Sequence, residues 1–413
     1  MNVARVQVDG DPVAAAASLR ALAPPGVSVS GTVSEIVASV RARGESALME
    51  YVERFDRVDG PLRVERHECE EALAALDPAV RTGLEVAVRN VRAVAEAGMA
   101  DDLDVALPEG QTVTLREVPV RRAAIYTPGG RNPYPSTVVM GVVTARAAGV
   151  DEVVVCAPGA HPVILAACAL CGADEVWRMG GAHAVAALAY GTDTVRRVDV
   201  IAGPGSLYVQ EAKRQVAGDV GIDGFAGPSD VLVLATAGAD PRLVALDLLA
   251  QAEHGDGTIV VLVTDDAALR EAVGAIVDAE AAGMDAAGAL VLVPDPAAGL
   301  AVAEAFAPEH LQLMGGAAEA LATEVRSAGC VFVGSQSATA FGDYVAGSNH
   351  TLPTGGAARF ASGLSTRHFR RRMSVVRIGD AAGALARAGA PVAQAEGFDR
   401  HAASMRVREN PSG

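Results

Sequence analysis

Aromatic side chains make up only 4% of this 413-residue chain, so a core has to be built from Ala, Val and Leu within a hydrophobic fraction of 50%. Cysteine is sparse. The five present (Cys69, Cys156, Cys168, Cys171 and Cys330) form no disulfide framework, which suits a reducing compartment. Cys168 and Cys171 have a CxxC spacing, but they sit in an apolar helical stretch with no second CxxC and read as core thiols. Positive charge is in deficit: 34 Lys and Arg against 50 Asp and Glu give a net charge of −16. That balance repels phosphate backbones and excludes nucleic-acid binding as the main role. The polybasic clusters that hold a protein to anionic lipid are missing as well. The longest uncharged stretch, Val153 to Ala173, is cut by Pro158, Gly159 and Pro162, so no membrane span is expected. The N-terminus carries Arg5, Asp9 and Asp11 and lacks the apolar run of a signal peptide, so the expected location is the cytoplasm. Finally, there is no GxGxxG dinucleotide fingerprint.

What is present is alternation. Charged residues amount to 20%, which excludes disorder as the overall state, and the length suits two or three domains at ~150 residues each. Val153–Cys156, Val231–Leu234, Ile259–Val263, Leu290–Val293 and Val331–Val333 are continuous apolar runs separated by helical stretches. Continuous strands are buried on both faces, so the pattern predicts a mostly parallel sheet wrapped by helices. Residues 1 to about 25 read as irregular, Ser34 to Phe55 and Glu70 to Ala97 as helices, and the tail as Arg-rich at 370–372 and then helical. The last residues, from Glu409, read as frayed.

Five segments carry chemistry. Gln251-Ala-Glu-His254 places two donors at i and i+3 on one helix face, although a solvated helix end is the ordinary explanation. Glu309-His310 sets a carboxylate beside an imidazole after Pro308, a pair suited to moving protons; the ordinary explanation is a helix start. Gly342-Asp343-Tyr344 and Ser348 to Gly356 form a long polar stretch in which Asp343 and His350 are the only ligands or bases. Glu396 and His401 lie five apart on the tail, where such residues are usually solvated. Tyr126-Thr-Pro-Gly-Gly130 and Gly203-Pro204-Gly205 each follow a short strand and could admit a nucleotide close to backbone. Gln251, Asp343 and two histidines make an N/O set suited to Zn²⁺. On the residues alone, a zinc hydrolase and a zinc-assisted dehydrogenase stay equally open.

Together these segments resemble the histidinol dehydrogenase family. The likeness rests on Tyr126–Gly130, Tyr134-Pro-Ser136, Gly180-Gly-Ala182, Ala187–Thr192, Gly203-Pro-Gly205, Glu211–Arg214 and Ala226-Gly-Pro-Ser229. It continues through Gln251–His254, Glu309-His-Leu311, Gly342–Tyr344, Asn349-His350, Leu352-Pro-Thr354, Glu396 and His401. The resemblance implies two Rossmann-like parallel-sheet domains of the aldehyde/histidinol dehydrogenase type, with small helical segments at both termini. It divides the chain into an N-terminal segment (1–25), a first α/β domain (26–118 with 231–365), a second α/β domain on the NAD side (119–230) and a tail (366–413) that reaches the partner subunit. It implies a zinc-dependent oxidation of L-histidinol through the aldehyde to L-histidine with NAD⁺, in a homodimer with shared sites. Gln251, His254, Asp343 and His401 would hold Zn²⁺. His310 would be the general base for both hydride steps, and Glu309 would activate water. Ser136, Ser229, His350 and Glu396 would contact substrate, and Tyr126, His183 and Ser206 the cofactor.

Four departures from the family pattern stand out, one of them a dipeptide. His183 stands for Gln, Ser206 for Asn, Ala338-Thr339 for Pro-Glu, and Asp230 for Glu. They motivate two alternatives: a paralogous zinc/NAD dehydrogenase for another small polar amino alcohol or diol, and a zinc-binding paralogue without redox activity.

Overall fold

The computed structural model describes every residue except 24–27, 57, 59, 130–131, 226 and 410–413. The motif residues Gly130 and Ala226, part of the segment read as irregular, and the last four residues read as frayed lie outside the described residues. The chain divides into two compact units: residues 1–98 with 120–369, and residues 99–119 with 370–413.

The first unit holds two six-stranded sheets. In one, the strand order is Asn2–Gln7, Ala287–Leu292, Ile259–Thr264, Asp230–Ala235, His310–Met314 and Cys330–Val333, all parallel. Both faces are covered. Val231, Val233 and Ala235 point into one apolar cluster, while Leu232 and Leu234 point into the other. That is why these strands read as uninterrupted apolar runs. The second sheet runs Arg63–Val64, Glu175–Trp177, Glu152–Cys156, Arg122–Tyr126, Val200–Ala202 and Gly221–Ile222, parallel except for the first pair. It too is buried on both faces, Ala123 and Ile125 on one, Ala124 and Tyr126 on the other. The predicted α/β architecture of two Rossmann-like parallel-sheet bodies is therefore what the chain adopts. Cys168 and Cys171 are buried, and burial raises both thiols above their ordinary value, as core thiols should be.

Three segments differ from the sequence reading. The described residues of the N-terminal segment, 1–23, are not irregular throughout: Asn2–Gln7 adds an edge strand to the first sheet, and Pro12–Arg20 is a helix capped by Asp11. A six-residue strand that takes one parallel neighbour carries too little periodicity to be seen alone. The resemblance groups the helices between residues 30 and 97 with the first domain. Instead, Ser30–Arg43 packs on the helices Gly181–Tyr190 and Leu207–Val216 of the second sheet, and Arg66–Ala74 packs on Pro162–Cys171. Their apolar stripes match whichever sheet has an uncovered face, and sequence does not say which. Finally, Gly342-Asp343-Tyr344 is no loop; it ends a short helix, Thr339–Tyr344.

The second unit is a three-stranded antiparallel sheet, Arg370–Arg377, Thr112–Pro119 and Leu103–Ala106, with the helices Ala382–Ala395 and Asp399–Arg406. The Arg-rich stretch is thus a strand, with Arg372 ion-paired to Glu117 at 2.5 Å. Ala390, Ala393 and Ala402 form the small core between its two helices. Among the described residues, no helix is long and apolar enough to cross a membrane.

Candidate active site

The chemistry gathers at the amino ends of the first sheet. Strands Asp230–Ala235 and His310–Met314 pair in parallel with Val231 opposite His310, so Ser229 and Asp230 meet Glu309 and His310 at the same level. Glu309 is 6% exposed and His310 2%. His310 therefore begins a strand, and the helix start considered for Pro308-Glu309 does not form. The helix Pro296–Phe306 ends at Ala307, which takes left-handed backbone angles (φ 50°, ψ 67°). That turn delivers Pro308 and Glu309 into the sheet.

Glu309 is held from several sides. Its Oε2 accepts from the Ser229 hydroxyl and from the Asp230 amide at 3.1 Å, and its own amide donates to Asp230 Oδ1 at 2.7 Å. Gln251 Nε2 donates to Ser229 Oγ, which leaves the Gln251 amide oxygen free to accept. Burial pushes the Glu309 carboxyl up, to about 7, because water no longer solvates its anion. His310 Nε2 lies 3.5 Å from Asp343 Oδ1, and Nδ1 lies 3.7 Å from Glu309 Oε2 with no hydrogen-bond partner. Burial alone would lower the imidazole, but the Glu309, Asp343 and Asp230 carboxylates outweigh it and shift His310 upward. Asp343 shows the reverse balance. Burial would raise it, yet hydrogen bonding to the His310 imidazole and that ring's positive field hold it below the ordinary carboxylate range.

The remaining histidines have defined tautomers. His254 Nδ1 lies 3.1 Å from the Gln251 carbonyl oxygen, and His350 Nδ1 lies 2.9 Å from the Asp343 carbonyl oxygen. A carbonyl only accepts, so each Nδ1 carries a proton, and in the neutral ring Nε2 keeps its lone pair. His350 Nε2 faces Thr137 Oγ1 at 3.4 Å, next to Ser136, which is 8% exposed. Burial lowers His350, favouring its neutral form. Gly342 has to be glycine: a Cβ there would meet the Phe332 ring at 2.5 Å. Among the described residues, no three His, Cys, Asp or Glu side chains are grouped so as to hold a metal by themselves. The free lone pairs of Gln251, His254 and Asp343 are nevertheless donors of the right chemistry for zinc.

A second feature lies at the carboxyl ends of the second sheet. It is a cavity of about 900 Å³, lined by Tyr126, Pro158, Gly180, His183, Ser206 and Tyr208 among others. Gly203 (φ 118°) lets the strand turn under this floor, since a Cβ would strike the Tyr126 carbonyl. The Tyr126 hydroxyl accepts from the Gly181 amide at 3.0 Å, and burial holds the phenol above its ordinary range. Ser206 caps the helix Leu207–Val216 with no side-chain bond of its own. His183, 2% exposed, gives Nε2 to Asp56 Oδ2 at 2.8 Å and lies stacked against Tyr51 and Phe55. Asp56 also accepts from the Gly180 amide at 3.2 Å. The departure at 183 is thus a buried group, paired through Nε2 with Asp56.

Seven of the residues singled out in the sequence (Ser229, Gln251, His254, Glu309, His310, Asp343 and His350) form one connected cluster, and Ser136 neighbours it through Thr137. Tyr126, His183 and Ser206 line the cavity. Glu396 and His401 belong to the second unit. There Glu396 ends the helix Ala382–Ala395, and the His401 ring meets Phe398 edge-on at 5.1 Å between centroids. The sequence missed Asp56 and Arg20, whose partners are more than a hundred residues away, and recorded Asp230 only as a departure.

The histidinol dehydrogenase family model matches residues 25–409. The chain belongs to the histidinol dehydrogenase family. It is an oxidoreductase. It is 42% identical over 400 residues to a histidinol dehydrogenase of Gluconobacter oxydans, covering 92% of this chain and 93% of the relative. It is 44% identical over 436 residues to that of Nocardia farcinica, covering 99% and 98%. The solved histidinol dehydrogenase of Elizabethkingia anophelis superposes with a TM-score of 0.90 at 28% identity, covering 98% of this chain and 97% of that one.

Proposed function

We propose that this chain oxidises L-histidinol through L-histidinal to L-histidine, with Zn²⁺ and NAD⁺, as a cytoplasmic homodimer in histidine biosynthesis. The observation that carries the reading is the buried Glu309–His310 pair, two bases side by side and differently surrounded, in a chain matched by the family over nearly its whole length.

Gln251, His254 and Asp343 supply three metal donors with free lone pairs. The reading keeps His401 as the fourth donor and Glu396 as a substrate contact, contributed across the dimer. When bound, Zn²⁺ anchors and orients the amine and imidazole of the substrate, and NAD⁺ takes two electrons as hydride in each of two rounds. With its imidazole neutral, His310 accepts the hydroxyl proton of the alcohol in the first round and, after releasing it, that of the hydrated aldehyde in the second. Glu309 takes a proton from the water that adds to the aldehyde, and a carboxyl raised by burial suits that task near neutral pH. Ser229, held between Glu309 and Gln251, and His350, beside Ser136, hold the substrate. Tyr126, His183 and Ser206 shape the cavity that takes the cofactor.

The test is stoichiometry. Zinc-loaded protein with limiting L-histidinol is expected to form two NADH per substrate and to yield histidine. One NADH per substrate, or none from folded, zinc-loaded protein, would overturn the reading.

A further inference from the structure

Arg20 ends the helix Pro12–Arg20, ahead of the span that the family model matches, and its one ion-pair partner in the site is Asp230. Its Nη1 lies 2.5 Å from Asp230 Oδ2, a carboxylate with no solvent exposure. Its Nη2 donates to the carbonyl oxygens of Phe306 at 2.7 Å and Ala307 at 3.2 Å. The guanidinium carbon also lies over the Phe306 ring, 3.6 Å from its centroid.

One group therefore fixes both ends of the turn that presents Glu309. At the entry it holds the carbonyls of Phe306 and of left-handed Ala307, a conformation an alanine does not keep unaided. At the exit it fixes Asp230, whose other oxygen takes the Glu309 amide and whose own amide donates to the Glu309 carboxylate. Glu309 is gripped at backbone and side chain by a residue whose position Arg20 sets. His310 depends on it less. Strand pairing places its backbone, and Asp343 faces its ring from another element.

We propose that Arg20 is a positioning residue for Glu309, acting through Asp230, and that it governs the hydration half of the oxidation while leaving the first hydride step largely untouched. This rests on the role given to Glu309 under the proposed function. Removing the guanidinium leaves Asp230 buried and unpaired, so it would draw in water or shift, and the Glu309 carboxylate would move with it. A misplacement of about 1 Å costs on the order of a hundredfold in a positioned group.

The test compares Arg20→Gln, Arg20→Lys and Glu309→Gln with the parent. The readout is the partition ratio: aldehyde released to a trapping hydrazine per acid formed. A ratio measured within the folded population does not depend on how much protein is folded, so simple destabilisation would not move it. Both Arg20→Gln and Glu309→Gln are expected to raise aldehyde release by roughly tenfold or more, with the first NADH of a single turnover forming at near parental rate in Arg20→Gln and partial rescue in Arg20→Lys. If Glu309→Gln leaks aldehyde and Arg20→Gln does not, the proposal fails while the function stands. If Glu309→Gln leaks none, the assigned role of Glu309 fails, and the proposal with it.

Discussion

The two parallel sheets of the first unit use opposite ends. In the second sheet the cavity lies at the carboxyl ends of the strands, where the helices Pro162–Cys171, Gly181–Tyr190 and Leu207–Val216 begin. In the first sheet the reactive groups lie at the amino ends, where Pro241–Ala252 and Pro296–Phe306 finish and hand over to His254 and Glu309. Helix N-termini present amide donors and partial positive charge; C-termini present carbonyls and partial negative charge. One end therefore suits an anionic dinucleotide and the other suits imidazoles and cations. The amino end of the second sheet does neither. There Arg122, Glu152, Glu175 and Arg196 close on one another in an ion-pair network. The same topological position is a site in one sheet and a clasp in the other, and the difference lies in whether its charges satisfy each other.

Breaking the reactive end should have the largest effect. His310→Ala is expected to lower turnover of histidinol by roughly 10²–10⁴-fold, as loss of a general base does, with bound metal unchanged by elemental analysis. A variant that kept its rate would remove His310 from the base role.

Next come the metal donors. Asp343→Ala and His254→Ala should each purify with clearly less zinc than the parent, and chelation of the parent should abolish NADH formation. Full zinc content in both variants would overturn the ligand assignment.

The cavity end should respond more mildly. His183→Gln leaves Asp56 without its imidazole partner, so KM for NAD⁺ should rise by roughly tenfold, on the order of 1–2 kcal/mol for one buried bond. Zinc content and the partition between aldehyde and acid should stay as they were. A tighter cofactor complex would mean that His183 weakens the site.

The clasp should show only in acid. Burial would raise the Glu175 carboxyl, but Arg122 and Arg196 outweigh it and hold it down at about 2. A carboxylate lowered on folding adds stability above its unfolded value near 4.5, and that stability is lost as pH falls from there through about 2. The parent should therefore lose on the order of 2 kcal/mol more than Glu175→Gln between pH 6 and pH 3 in urea unfolding. Parallel losses in the two proteins would show that the network adds nothing.

Much of this was legible in the chain. The runs at 153–156, 231–234 and 259–263 announced strands buried on both faces, because only such strands are apolar without alternation. Gln251, His254, Glu309, His310, Asp343 and His350 stood out as polar groups in an apolar chain. Asn2–Gln7 did not, since an edge strand is defined by the neighbour it joins. The strands Thr112–Pro119 and Arg370–Arg377 pair across more than 250 residues of sequence, and the arginines in the second disguise it as a solvated tail. Asp56 and Arg20 were invisible for the same reason: a charged residue near a helix end is ordinary until its partner is known.

The sequence by itself determined which residues could be buried, which could move protons or bind an ion, and where chain turns had to fall, because these follow from side-chain chemistry and local periodicity. Only the tertiary structure decided which end of each sheet the reactive groups would share, that His183 would be spent on Asp56, and that Arg20 would stand behind Glu309. Those are pairings between distant segments, and a pairing has an energy only once folding has brought both partners out of water together.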